Sequence, residues 1–147
     1  MKTAAQILKS KPDHQTVHTI EPTATVYEAV KLMADRNVGA LVVVEHGKVV
    51  GIVSERDYAR KVVLLARSSK DTPLRDIMSS PVLYVNPEQT TDQCMALMTE
   101  NRLRHLPVMD GGELVGLVSI GDLVKATISE QQFIIEQLEH YIHGQRD

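Results

Sequence analysis

Apolar positions along the chain fall into an order that occurs twice. Val17 to Ile20 is a short apolar segment with Pro22 two residues beyond it, and Val82 to Val85 is followed in the same way by Pro87. Next come apolar residues at helical spacing, Val26, Ala29, Val30 and Met33 in one stretch and Cys94, Leu97 and Met98 in the other. Thr25 stands three residues ahead of Glu28 and Thr90 three ahead of Gln93, the spacing of a capping box at a helix start. Two apolar runs then flank a turn. Ala40 to Val44 and Val49 to Val53 surround His46-Gly47, while Leu106 to Met109 and Leu114 to Val118 surround Asp110-Gly111-Gly112. Glycine at such turns supplies the positive φ of a tight hairpin. Ser54 and Ser119 each open a further helix, three residues ahead of Asp57 and Asp122. The pattern predicts an α+β fold built from a β-α-β-β-α unit, twice.

The two copies keep one register. Gly51-Ile52-Val53-Ser54-Glu55-Arg56-Asp57 returns 65 residues later as Gly116-Leu117-Val118-Ser119-Ile120-Gly121-Asp122. Pro22, Thr25, Leu32, Met33, Leu41 and Gly47 recur at the same interval without a gap. That is the mark of a duplicated supersecondary unit. Two copies are too few for a solenoid and fit a pseudo-symmetric pair of lobes.

Three segments lie outside the repeat. The first ten residues read as a lead-in helix carrying Ile7 and Leu8. A second lead-in begins at Thr72-Pro73, a threonine cap followed by proline at the first helical position, and carries Leu74, Ile77 and Met78. After Ser129, Phe133, Ile134, Leu138, Tyr141 and Ile142 share a face of what reads as a terminal amphipathic helix, too short to be stable unpacked. The expected organisation is residues 1–70 for the first copy with its lead-in, 71–128 for the second, and 129–147 for the terminal helix.

Composition narrows the class. With 147 residues, 43% hydrophobic and 24% charged, the chain suits one compact module. Its core is aliphatic, for it has one Phe, four Tyr and no Trp. A net charge of −3 without a basic face argues against nucleic acid. The basic residues Arg56, Arg60, Lys61, Arg67 and Lys70 read as a solvated helix face, without the interleaved aromatics that stack bases. Cys94 is the one cysteine, matched by Ala29, and reads as a small buried residue. The N-terminus lacks the apolar core of a signal peptide, and no apolar run reaches the ~20 residues of a membrane span. A cytoplasmic protein with no membrane association is expected.

Ser-x-x-Asp at a strand-to-helix junction has an ordinary role, serine capping the helix and aspartate favouring its positive end. Further chemistry is open to it. A glycine three residues ahead lets a ligand approach the backbone. Free N–H groups at a helix start favour an anion, and a carboxylate accepts both hydroxyls of a vicinal diol. A ribose with its phosphate fits such a turn.

The repeated unit, the Gly-apolar-apolar-Ser-x-x-Asp endings and the strands Asn37-Val38-Gly39-Ala40-Leu41-Val42-Val43 and Arg104-His105-Leu106-Pro107-Val108 resemble a tandem pair of cystathionine-β-synthase (CBS) domains. The resemblance covers roughly residues 7 to 127, with two motif copies in register. It implies a compact pair with two clefts between the lobes that bind adenine nucleotides. On that resemblance Asp57 and Asp122 hold ribose hydroxyls, and Ser54 and Ser119 lie beside sugar and phosphate. Backbone at Thr19-Ile20 and Tyr84-Val85, with the central strands at Gly39-Ala40 and at Pro107, lines the adenine slots. Arg104 and His105 meet phosphate. The copies differ there: Gly39-Ala40 replaces Arg104-His105, so the first site draws on Arg56, and the two sites are unequal.

These expectations add up to a regulatory module that is not an enzyme and has no catalytic cofactor. It takes AMP first, with ADP, ATP or NAD(H) as alternatives, forms a homodimer and signals to a regulated protein. The alternative is a structural or dimerisation module with vestigial sites. An enzyme would have only His105 as a base. His140-x-x-His143 beside Glu136 and Glu139 makes a weak metal motif without further ligands, and His14, His18 and His46 need no function. Neither a nucleophile elbow nor a phosphate loop is present.

Overall fold

The computed structural model describes residues 1–12 and 17–144; His14 and the last three residues of the expected terminal helix lie outside the described residues. The elements are α1 (Ala4–Ser10), β1 (Thr19–Ile20), α2 (Val26–Arg36), β2 (Ala40–Glu45), β3 (Lys48–Ser54), α3 (Glu55–Tyr58), α4 (Thr91–Asn101), β4 (His105–Asp110), β5 (Glu113–Ser119) and α5 (Ile120–Gly144). A π-helical turn, Ala59–Val63, prolongs α3, and a 3₁₀ turn spans Leu74–Asp76. The fold is α+β, with the unit present twice.

Both hairpins form as the sequence predicts, β2 antiparallel to β3 and β4 antiparallel to β5. His46 and Gly47 both have positive φ in the first turn, as do Gly111 and Gly112 in the second, the geometry that two-residue hairpin loops demand. Each hairpin carries a bulge at the same repeat position. The pairs Val43–Gly51 and Val44–Val49 skip Val50, and the pairs Val108–Gly116 and Met109–Leu114 skip Val115. Capping boxes close α2 at Thr25 and Glu28 and α4 at Thr90 and Gln93.

The leading strands differ from expectation. Of Val17 to Ile20 only Thr19–Ile20 is a strand, parallel to β2. Val82 to Val85 supplies a single bridge, Val85 to Val108. The residue opposite explains this. In the first copy Val42 N–H donates to His18 O at 3.3 Å; its counterpart is Pro107, which has no N–H to give.

The chain divides into two compact units, one formed by Thr16–Leu83 and the other by Met1–Gln15 with Tyr84–Asp147. The sequence assigned each lead-in to the copy that follows it; in space each packs on the other copy. Within the second unit Ala4 N–H donates to Gln89 O at 2.8 Å, and Thr91 N–H donates to Lys2 O at 2.9 Å. Within the first, Leu74 N–H donates to Ala24 O at 2.9 Å, and Val26 N–H to Thr72 O at 2.9 Å. The side chains follow. Ala4, Ile7 and Leu8 join Cys94, Met98, Leu106, Val108 and Leu123 in one core. Leu74 and Ile77 join Val26, Ala29, Met33, Leu41 and Val43 in the other. The second lead-in is also not the helix expected from Thr72-Pro73. Pro73 is extended, with ψ of 152°, and the Thr72 hydroxyl donates to Ser68 O at 2.7 Å instead of capping. The terminal helix has no separate start at residue 129, because α5 runs unbroken from Ile120 to Gly144.

Candidate functional site

In the unit containing the second copy, β5 ends at Ser119, which pairs with His105 across the hairpin. Ile120 N–H donates to Arg104 O at 2.8 Å, so Arg104, His105, Ser119 and the start of α5 meet at one end of the hairpin. The Asp122 carboxylate folds back to accept from Ser119 N–H at 2.9 Å, while Asp122 N–H donates to Ser119 Oγ at 3.1 Å. Lys11, at the end of α1, brings its ammonium 3.0 Å from the same carboxylate and also donates to Leu117 O at 2.9 Å. Val85 N–H donates to Pro107 O at 3.0 Å, placing Tyr84-Val85 beside Pro107. Val85 is fully buried while Tyr84 is exposed, and Val85 spends both backbone groups on β4, its N–H on Pro107 O and its carbonyl on Met109 N–H, so of the two expected adenine-slot residues only Tyr84 is open to a ligand. Arg104 is exposed and His105 half-buried.

The other unit repeats this with different residues. Ser54 pairs with Ala40, Glu55 N–H donates to Gly39 O at 3.1 Å, and Asp57 accepts from Ser54 N–H at 2.9 Å. The Ser54 hydroxyl donates to the same carboxylate at 3.1 Å and accepts from Asp57 N–H at 3.2 Å. Thr19-Ile20 runs beside Val42 and Val43. Arg56 follows Glu55 in the first turn of α3, where the sequence put it. Lys61, one turn on, lies 3.3 Å from Asp57 and donates to Ile77 O at 2.9 Å. Within each unit, then, the Ser-x-x-Asp turn and the start of the central strand share one hairpin end, while Thr19-Ile20 and Val85 pair further along that strand.

The glycines preceding the serines do not open the backbone to a ligand. A Cβ on Gly51 would stand 2.5 Å from Met78 Sδ, and one on Gly116 would collide with the Leu8 side chain. The missing side chain makes room for the lead-in. The helix starts also have fewer N–H groups to give an anion. The first N–H of α5 is spent on Arg104 O and the third on Ser119 Oγ, and α3 spends the same two on Gly39 O and Ser54 Oγ.

Nothing in the sequence marks the two lysines at the aspartates, since neither sits at a repeat-matched position. Nor does it mark a cleft of about 390 Å³ lined by Val30, Met33, Ala34, Asn37, Val38, Gly39, Glu55 and Tyr58. The cleft shares only Gly39 with the expected site. The basic run is not one helix face, because the helical turns end at Val63, ahead of Arg67 and Lys70; Lys61 is tied to Asp57, and Lys70 lies 5.3 Å from the centre of the Tyr27 ring. Cys94 is buried, and burial pushes its thiol pKa up. Among the described residues no three His, Cys, Asp or Glu side chains gather as a metal site, and no helix is long and apolar enough to cross a membrane.

Comparison with known proteins places this geometry. The CBS domain family model matches residues 13–64 and 74–129. The chain is 46% identical over 125 residues to the CBS domain-containing protein CBSX3, mitochondrial, of Arabidopsis thaliana, covering 82% of this chain and 61% of that protein's length. A solved protein with CBS domains from Burkholderia ambifaria MC40-6 superposes with a TM-score of 0.85 at 60% identity, over 88% of this chain and 96% of that one. The CBS domain pair of protein MJ0100, solved in complex with 5′-methylthioadenosine and S-adenosyl-L-methionine, superposes with a TM-score of 0.74 at 26% identity, over 88% and 98%. Matched twice by the family model and closely related to proteins of that family, the chain belongs to the CBS domain family.

Proposed function

We propose that this chain is a regulatory module that reversibly binds an adenosine-containing ligand and passes the bound state to a partner protein, without catalysing a reaction. CBS-domain pairs are commonly regulatory, and the relative in complex with methylthioadenosine and S-adenosylmethionine takes ligands that share adenosine. The observation that carries the reading is the doubled Ser-x-x-Asp turn. Each holds a carboxylate at a strand end, on a hairpin whose first strand pairs with Thr19-Ile20 or with Val85. A carboxylate accepting two ribose hydroxyls gains charged hydrogen bonds worth about 1.5–3 kcal/mol each. AMP is the ligand put first, with ADP, ATP and NAD(H) behind it. Arg104 and His105 at one site and Arg56 at the other make the two sites unequal toward phosphate. Binding acts on the partner only through a difference in affinity between two states of the module. A homodimer is the expected assembly.

The test is thermal unfolding of nucleotide-stripped protein against AMP, ADP, ATP, NAD⁺, NADH, S-adenosylmethionine and a GMP control. Ligand at one hundred times its dissociation constant adds about 2.7 kcal/mol, which is several degrees at this chain length. A shift with an adenosine ligand and none with GMP is the expected result. A flat panel favours a structural module, a reading with its own support: each aspartate already serves a helix cap and an ammonium.

A further inference from the structure

Helices α2 and α3 leave a cleft between them within the Thr16–Leu83 unit. Val30, Met33, Ala34 and Asn37 follow one another at three- and four-residue steps, so a single face of α2 makes one wall. Glu55 and Tyr58 of α3 make the other. The volume of about 390 Å³ lies at the lower end of the ~300–1,000 Å³ of small-molecule sites. The duplicated unit shows what sets this cleft apart. In the second copy Ile120 stands for Glu55 and Leu123 for Tyr58. Ile120 packs against the core of its unit, and Leu123 is fully buried there. An aliphatic pair therefore serves that place as packing. The first copy puts an exposed carboxylate and a half-buried phenol there instead, which packing does not call for.

The electrostatics of the cleft have one sign. Glu55 carries the charge of the lining, and among the described residues no ion pair takes up its carboxylate. Arg36 and Arg56 adjoin lining residues in sequence but lie outside the lining. Helix α2 ends at this cleft, with Asn37 as its left-handed cap, so the negative end of its dipole adds to the carboxylate. The Tyr58 ring offers a cation its π-face. Val30, Met33, Ala34 and Val38 make the rest of the lining apolar.

We propose that this cleft is a further binding site, for a small organic cation: an ammonium group on a short apolar body. The ammonium donates to the Glu55 carboxylate, a charge-assisted bond, and the body rests on Val30, Met33 and Val38. An anion of the same shape meets repulsion from Glu55 and from the helix end, and a neutral molecule gains the apolar contact alone. The site is separate from the proposed ribose turn, whose Asp57 carboxylate is engaged by Ser54 and Lys61. It does not depend on nucleotide binding.

The full chain, labelled with nitrogen-15, is titrated at neutral pH with hexylamine, 1-hexanol and hexanoate and followed by its amide spectrum. Hexylammonium is expected to shift the amides of Asn37, Val38, Gly39 and Tyr58 at millimolar concentration, hexanol more weakly and hexanoate not at all. Glu55→Gln, at an exposed position, keeps the fold and the shape of the cleft. It is expected to weaken hexylammonium about tenfold, the loss of one charged hydrogen bond, and to leave hexanol unchanged. Hexanoate that binds as well as hexylammonium, or an equal hexylammonium affinity in Glu55→Gln, overturns the proposal. So does the absence of shifts at these amides. Shifts of the same amides on diluting the protein, with none on adding the amine, mean that a second copy covers the cleft, and the proposal falls.

Discussion

Lys11 and Asp122 form an ion pair at 3.0 Å, and the repeat-matched carboxylate, Asp57, is met by Lys61 at 3.3 Å. The two lysines are not counterparts, for the position 65 residues beyond Lys61 is Ala126. Lys11 reaches its aspartate from a lead-in segment and Lys61 from within the helix itself. Each also donates to a backbone carbonyl, Lys11 to Leu117 and Lys61 to Ile77, both at 2.9 Å. Each lysine is therefore a staple between a lead-in and the turn proposed to hold ribose.

A ribose that uses Asp122 competes with that ammonium. Lys11→Met is expected to tighten adenosine binding several-fold, because the ligand no longer has to displace a charged partner. Isothermal titration calorimetry with adenosine checks this. An unchanged affinity would mean that sugar and ammonium occupy different edges of the carboxylate.

Asp122→Asn separates the cap from the charge. The amide oxygen still accepts from Ser119 N–H, so the start of α5 persists, but the charged bonds to ribose are lost. AMP affinity is expected to fall tenfold or more, since one charged hydrogen bond is worth about 1.5–3 kcal/mol. Titration of AMP alongside a far-ultraviolet spectrum reads both properties. Equal affinity with an intact fold removes the ribose role from Asp122.

The glycines test the exchanged lead-ins. Gly116→Ala drives a methyl into Leu8, and overpacking of this kind costs about 1–3 kcal/mol. Urea unfolding should show that loss, and the loss should shrink when Gly116→Ala is made in a Leu8→Ala background, where the colliding side chain is gone. Gly51→Ala is expected to cost less, because the atoms in its way belong to Met78, an unbranched and adaptable side chain. Loss at Gly116 that Leu8→Ala leaves untouched would assign the glycine another role.

What was legible in the sequence is what short-range chemistry decides. Thr25 with Glu28, Thr90 with Gln93 and the two Ser-x-x-Asp turns are caps closed within four residues, and the glycines of His46-Gly47 and Gly111-Gly112 announce their hairpins. The partner of each lead-in was not legible. Ile7 and Leu8 look alike whichever copy they bury against, and the choice is made by backbone bonds across more than eighty residues, such as Ala4 to Gln89. Pro107 reads as an acceptable strand residue until its neighbour is known, and then its missing N–H shortens the pairing. The boundary expected at residue 129 followed the end of the repeat rather than any helix breaker, and no Gly or Pro between Leu123 and Leu138 stops the helix. At the candidate site the aspartates were readable from their motif; the lysines were not, because they break the repeat.

Cys94 gives a pH dependence whose sign follows from burial. Desolvation holds its thiol pKa above the ordinary value, and a backbone hydrogen bond at Cys94 opposes this without cancelling it. The folded state thus keeps a proton that the unfolded chain releases as pH passes about 8.5. Below that pH both states hold the proton and the group leaves stability unchanged. Above it the unfolded state gains by ionising, so stability declines with rising pH until the folded thiol ionises as well. Cys94→Ala, which installs the residue found at the matching and equally buried Ala29, should flatten this decline in urea unfolding between pH 7 and 10. It should also remove a thiol that the native protein protects from iodoacetamide and the unfolded chain does not. Rapid alkylation of the native protein, or an alkaline slope unchanged in the variant, would show that Cys94 is not the group responsible.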